Sequence, residues 1–263
     1  MIETEAQRTK RRSQRVLFDA VADLYDSTRR GYPTQIVEYM VATAGVGAGD
    51  AVLEVGCGTG QLTRQLPRFG FVLMAIDISP SMISVARRHL ADVPVSLAST
   101  SFEAFDAPDR SLALIVSATA FHWVDPDLAW SKAARLLRPG GWLALLETGE
   151  RYDDPLGPAL MELWINHSAD GGAWAKEKKP TLAETIADTG LFRQAATRSH
   201  TKRMTLPAGA VLGLEQTRAT TLSYDDSTRQ SFISQLRALL EAAPEVRLEQ
   251  QTSLTMAQVA PDP

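Results

Sequence analysis

One cysteine, Cys57, stands in the 263 residues of this chain, so neither a disulfide framework nor a cysteine-based zinc site is available to it. His89, His167 and His200 share no ligand spacing with one another or with nearby carboxylates, and no metal site is expected. There is no surplus of positive charge: 27 basic against 31 acidic residues leave a net charge of −4. That balance excludes a generally basic nucleic-acid binder. No apolar run approaches the ~20 residues that a membrane span needs, and the polar, basic N-terminus lacks a secretory apolar segment. A cytoplasmic protein with no membrane and no nucleic-acid partner is expected. Repeats and low-complexity segments are also missing.

What is present is an ordinary globular composition, 44% apolar and 22% charged, sized for one large domain or a domain with a cap. From residue 51 a regular rhythm begins. Ala51-Val52-Leu53-Glu54-Val55 reads as a strand buried on both faces, 61–69 as a helix, and 71–76 as a second buried strand closed by Asp77. Ser79 can cap a following helix with Pro80 at its first position. Strands are expected at 93–98, 112–117 and 142–147, with a helix over 127–137 that stops at Arg138-Pro139-Gly140-Gly141. Beyond residue 150 the pattern predicts a helix near 155–168, another at 181–189, a strand at 192–205, two helices in 207–242 and a final strand at 246–259. Alternation of strand and helix at short intervals predicts an α/β fold, an open, mostly parallel sheet with helices on both faces. Such sheets bind ligands beyond the carboxyl ends of their strands, here near 56–61, 77–82, 99–103 and 118–124.

The sharpest signal is the bend Glu54-Val55-Gly56-Cys57-Gly58-Thr59-Gly60 between the first strand and its helix. Glycines there allow a positive φ and close approach of backbone to ligand. The spacing is G-x-G-x-G rather than the G-x-G-x-x-G of a dinucleotide site, and no lysine–hydroxyl pair of the P-loop type follows. Asp77 lies 17 positions after Gly60, where a carboxylate can accept hydrogen bonds from both hydroxyls of a ribose. An adenosine-like ligand without a pyrophosphate fits this combination. Cys57 reads as a small buried side chain, with a helix-activated thiol as the alternative.

Val52-Leu53-Glu54-Val55-Gly56-Cys57-Gly58-Thr59-Gly60 resembles the first motif of class I S-adenosylmethionine-dependent methyltransferases. Ala75 to Met82 is similar to their second-strand motif, and Leu136-Leu137-Arg138-Pro139-Gly140-Gly141 to the turn before their fifth strand. A narrower resemblance, to the trans-aconitate-like (type 11) small-molecule branch, is carried by Phe18-Asp19, Tyr25-Asp26, Arg29, Tyr32-Pro33 and Phe121-His122-Trp123-Val124. Arg30 departs from it, since that branch commonly has proline there. The resemblance implies a doubly wound, seven-stranded Rossmann-like sheet. It also implies a helical lid over 1–45, a cofactor-binding core over 46–149, a cap over 150–242 and a final strand and tail over 243–263. It further implies S-adenosyl-L-methionine as cofactor and S-adenosyl-L-homocysteine as product. Glu54, Gly56, Cys57 and Gly58 would pass beneath the methionine part, and Asp77 would hold the ribose. Ile78, Met82, Ser101 and Phe102 would surround the adenine, and Ala118 would end the fourth strand beside the cofactor. Tyr25 and Arg29 would fold over it, Arg29 pairing the carboxylate.

His122, after the fourth strand, is expected beside the sulfonium methyl, as a general base, a substrate-binding residue or a packing partner of Trp123. Tyr32, Trp123, Glu147 and Trp164, with Tyr152 and Trp174, are candidates for the acceptor pocket. Lys176, Lys178 and Lys179 read as a solvated charge run, as do Arg8, Lys10, Arg11, Arg12 and Arg15. The function expected is methyl transfer to a small organic acceptor by a monomer or homodimer, with O-, N- and C-methylation all open. A non-methylating binder of the same cofactor and a nicotinamide-dependent oxidoreductase are the alternatives.

Overall fold

The computed structural model describes residues 13, 16–153, 155–169, 171–172 and 180–260, without the side chains of 194 and 195. Arg8, Lys10, Arg11, Arg12, Arg15, Trp174 and the three lysines after it lie outside the described residues. Seven strands form one sheet in the order β3-β2-β1-β4-β5-β7-β6. β1 (Ala51–Val55), β2 (Val72–Asp77), β3 (Val95–Ser99), β4 (Leu112–Ala118) and β5 (Leu137–Tyr152) pair in parallel. β7 (Glu245–Val259) runs antiparallel between β5 and β6 (Phe192–Pro207). The chain order reverses between β1 and β4, and their carboxyl ends open into a crevice.

Elements on both faces bury the sheet. The first, α1 (Ala22–Thr28), follows a 3-10 turn at Leu17–Val21. In α2 (Thr34–Ala44), Ile36, Val37, Met40 and Val41 enter the core with Val52, Leu114 and Met256. α2 is thus part of the body, while Phe18, Tyr25 and the 29–32 segment before it reach the crevice. α3 (Pro80–His89) begins where Ser79 Oγ accepts the Met82 amide at 3.0 Å, and its last turn carries Arg87, Arg88 and His89 in favourable alignment with the helix dipole. α4 (Pro126–Leu136) covers the opposite face, with Phe121, Ala133 and Leu136 on Leu53 and Ile115.

The helix expected over 61–69 is instead two 3-10 turns, Thr63–Gln65 and Pro67–Phe69. Pro67 has no amide hydrogen to continue an α-helical ladder. The short fifth strand expected over 142–147 also proves much longer. β5, β6 and β7 hold 16, 16 and 15 residues and project beyond the parallel strands. On the projection sit α5 (Leu156–His167), α7 (Ala208–Gln216), α8 (Ala219–Leu222) and α9 (Asp226–Glu241), three helices where two were expected over 207–242. α5, α7 and α9 share a separate core in which Leu160, Leu214, Phe232 and Leu236 pack with Leu206 and Leu248 of the strands, each buried aliphatic or aromatic side chain contributing about 1.5–3 kcal/mol. α6 (Leu182–Asp188), by contrast, sends Ile186 into the main core.

Candidate active site

The bend after β1 is locked by its own backbone. The amides of Gly56 and Cys57 both donate to Ile76 O, at 2.8 and 3.0 Å. Gly56 has φ +72°, and a Cβ there would sit 2.3 Å from Ala120 Cβ, so only glycine lets the bend pass this close to the end of β4. Asp77 faces the bend: Oδ2 accepts the Gly58 amide and Oδ1 the Ser79 amide, both at 2.9 Å. Burial pushes its carboxyl above the usual range, and the two amide hydrogen bonds oppose that rise.

Two cavities meet at this bend. One, of about 720 Å3 including its open mouth, is lined by Phe18, Asp77, Ile78, Met82, Ser101, Phe102 and Trp123. The other, of about 800 Å3, is lined by Arg29, Arg30, Tyr32, Glu54, Cys57, Glu150 and Gln250. Tyr25, Gly56, Gly58, Ala118 and Thr119 line both. The structure thus brings together all the residues expected to hold a cofactor. Tyr32 and Trp123, two of those expected to bind an acceptor, join them.

In the second cavity, one buried polar atom on each of two titratable side chains is left without a hydrogen-bond partner. Glu54 is buried, its Oε2 meets no hydrogen-bond partner, and burial pushes its pKa up to about 8. Arg29 donates from Nη2 to Thr217 O at 3.2 Å, and its guanidinium lies 5.1 Å from the Tyr25 ring centre. Its buried Nε has no partner. The Cys57 thiol is buried and burial holds it well above the usual thiol range, which removes the activated-thiol alternative.

Four expected site residues lie elsewhere, among them Tyr152, which is buried among the helices after β5 with its hydroxyl donating to Glu215 at 2.7 Å. His122 is exposed and lines neither cavity; its ring packs 4.9 Å from that of Trp123. The 3-10 turn Phe121–Trp123 buries Phe121 and puts Trp123 in the first cavity, which turns the residue between them outward. Glu147 is exposed on β5 and lines neither cavity. Trp164 belongs to the cap, where the Arg218 guanidinium lies 5.4 Å from its ring centre.

Other residues emerge only from the fold. Asp19 Oδ1 accepts from Ser79 Oγ at 2.6 Å and from the Ser81 amide at 2.9 Å. Asp26 pairs with Arg64 at 3.0 Å and with His89 at 2.7 Å, and Asp23 pairs with Arg88. These contacts fasten the 17–28 stretch to α3 and the bend, with Phe18 and Tyr25 packed on Met82 and Val85. Acidic residues at 23 and 26, facing the basic last turn of α3, were a charge pattern available in the sequence. Thr119 takes φ +57°, a strained conformation for a branched residue, with Oγ1 3.4 Å from the Tyr32 hydroxyl where the cavities join.

Residues 53–145 match a family model described as a methyltransferase domain. An uncharacterized methyltransferase of Mycobacterium tuberculosis is 35% identical over 136 residues, covering 52% of this chain and 54% of the relative, so the match spans about half of that protein. A second uncharacterized methyltransferase, from Geobacillus, is 33% identical over 166 residues, covering 59% of this chain and 78% of the relative. Among solved structures, a putative type II methyltransferase from Anaeromyxobacter dehalogenans superposes with a TM-score of 0.62 at 23% identity, covering 89% of this chain and 99% of that one. Among the described residues no helix is long and apolar enough to cross a membrane, and no group of three or more metal-ligating side chains occurs. The chain belongs to the methyltransferase family, in the class I fold whose cofactor is S-adenosylmethionine.

Proposed function

We propose that this chain transfers a methyl group from S-adenosylmethionine to a small organic acceptor. The observation that carries the proposal is the pair of unpartnered buried atoms in the second cavity, Glu54 Oε2 and Arg29 Nε. Together they complement the ammonium and carboxylate of an amino acid, while Asp77 in the adjoining cavity complements a ribose. A zwitterion joined to an adenosine matches that arrangement. S-adenosylmethionine supplies a sulfonium-bound methyl group that is already activated for displacement.

The protein's part is positioning and exclusion of water. Asp77 fixes the ribose, and Ile78, Met82 and Phe102 enclose the adenine in apolar contact. Tyr25, carried by the fastened 17–28 stretch, lines both cavities, so this stretch covers the seam at Gly56–Gly58. The acceptor enters through the second cavity and reaches the seam beside Thr119 and Tyr32. With His122 outside both cavities, the reading that it removes a proton has no support in the geometry. A monomer or homodimer is equally compatible with a site formed by one chain.

The test is calorimetric titration with S-adenosylhomocysteine and, separately, with nicotinamide dinucleotides. S-adenosylhomocysteine is expected to bind, and Asp77→Ala to weaken it about a hundredfold through two lost charge-assisted hydrogen bonds. Tighter binding of a nicotinamide dinucleotide, or an unchanged affinity in Asp77→Ala, would overturn the proposal.

A further inference from the structure

The end of α7 faces the Arg29 guanidinium. Arg29 Nη2 shares its hydrogens among Thr217 O at 3.2 Å, Thr217 Oγ1 at 3.3 Å and Leu214 O at 3.4 Å. Thr217 is fully buried, and its hydroxyl donates in turn to Leu214 O at 3.0 Å, which turns the oxygen's lone pairs toward the arginine. The last carbonyls of a helix have no partners further along it, and the helix dipole makes that end negative, so a guanidinium is well received there.

This approach depends on Gly213. A Cβ on it would lie 2.4 Å from Thr28 Cγ2 and 3.6 Å from Leu24 Cδ1, both on α1. Glycine weakens a helix interior relative to alanine, and here it lets α7 pass close enough for the last turns of the two helices to meet. Arg29 directly follows α1, its amide donating to Tyr25 O at 2.8 Å. The spacing of α1 and α7 therefore sets where the guanidinium stands.

Two arginines meet this end of α7 in different ways. Arg218 is matched in charge: Nε donates to both oxygens of Glu215 at 2.8 and 2.9 Å, and Nη2 to Glu150 Oε2, on the floor of the second cavity, at 3.0 Å. Arg29 is held by neutral oxygens and, among the described residues, forms no ion pair, although Glu54 and Glu150 line the same cavity. Neutral acceptors fix the side chain without cancelling its charge. A guanidinium fixed beforehand also loses little rotamer freedom when an anion arrives.

We propose that Gly213 and Thr217 are positioning residues for the cofactor, holding Arg29 in place and uncancelled in charge to receive the ligand's carboxylate. The inference rests on the methyl-transfer reading and gives a helix of the cap a part in cofactor binding. Neither residue lines either cavity; both act through Arg29.

The experiment titrates the full chain with adenosine and with S-adenosylhomocysteine. Gly213→Ala, which forces the helices apart, should weaken S-adenosylhomocysteine about tenfold and leave adenosine unchanged. Adding Thr28→Ser, which removes the obstructing methyl group and keeps the hydroxyl, should restore most of that affinity. Thr217→Val should weaken S-adenosylhomocysteine about threefold and adenosine not at all, while Thr217→Ser should bind both as the wild type does. In an Arg29→Ala background neither Gly213→Ala nor Thr217→Val should cost anything further. The Thr217 variants leave the α1–α7 packing untouched, so the outcome does not depend on Gly213→Ala folding. Unchanged S-adenosylhomocysteine affinity in Thr217→Val, equal losses for both ligands, or losses that add to that of Arg29→Ala would overturn this inference alone. Failure of S-adenosylhomocysteine to bind the wild type would remove the methyl-transfer reading, and this inference with it.

Discussion

The two cavities that share the Gly56–Gly58 bend are built in opposite ways. The adenosine side is made by backbone: Gly56 and Cys57 amides on Ile76 O, Gly58 and Ser79 amides on Asp77, and a glycine where nothing larger fits. The acceptor side is made by side chains on long antiparallel strands, and behind it lies an ionic network. Arg218 binds both oxygens of Glu215 at 2.8 and 2.9 Å and reaches Glu150, while the Tyr152 hydroxyl donates to Glu215 at 2.7 Å. A backbone-built site tolerates little change, and it leaves a motif in the sequence. A side-chain-built site can be rewritten residue by residue.

Removing Arg218 should produce the largest effect. The side chains of Glu215 and Glu150 are 0% and 4% exposed, so Arg218→Ala leaves two buried carboxylates unpaired. A loss of about 3–5 kcal/mol is expected by urea denaturation. Arg68→Ala, which breaks the exposed Arg68–Glu38 pair on the other half, should cost under about 1 kcal/mol. Equal costs would show that the network does not hold the acceptor half together.

Glu54 sharpens the comparison at the seam. Its carboxyl is raised to about 8 by burial, so the folded chain holds a proton that the unfolded chain releases in the ordinary carboxylate range. This contribution to stability is full below about pH 4 and is lost as pH rises to about 8. Glu54→Gln should lose less stability across that window. In the wild type, binding the cofactor's ammonium should expel the proton at neutral pH, up to about one per site, read as a dependence of binding enthalpy on the buffer's ionisation heat. Identical pH profiles and no proton release would contradict the charge state assigned to the seam.

The smallest effect belongs to His122. Exposed against Trp123, it should be replaceable by alanine with turnover and cofactor affinity both near wild type. A large fall in turnover alone would return it to the chemistry.

How legible each half was in the sequence follows from the same contrast. β1, β2 and β4 are nearly continuous apolar runs because both their faces are buried, and the bend and Asp77 follow from glycine spacing and strand ends. The end of β5 was hidden. In Glu147-Thr148-Gly149-Glu150-Arg151 alternate residues point to opposite faces, but one face meets solvent and the other the polar cavity floor. Period two is therefore present without any alternation of hydrophobicity to reveal it. His122 was misleading for a local reason: position after a strand places a residue at the site's edge, while the 3-10 turn decides which way it points. Arg218 and Glu215 meet Glu150 only through packing of the cap, a contact across 68 positions for the Arg218–Glu150 pair.

One ligand spanning both cavities is tested most directly by titrating the wild type and Arg29→Ala, side by side, with adenosine and with S-adenosylhomocysteine. Adenosine should bind both proteins equally, and S-adenosylhomocysteine should bind Arg29→Ala about tenfold or more weakly, because only it carries a carboxylate to the second cavity. Equal S-adenosylhomocysteine affinity in the two proteins, or a matching loss for adenosine, would contradict a ligand that crosses the bend.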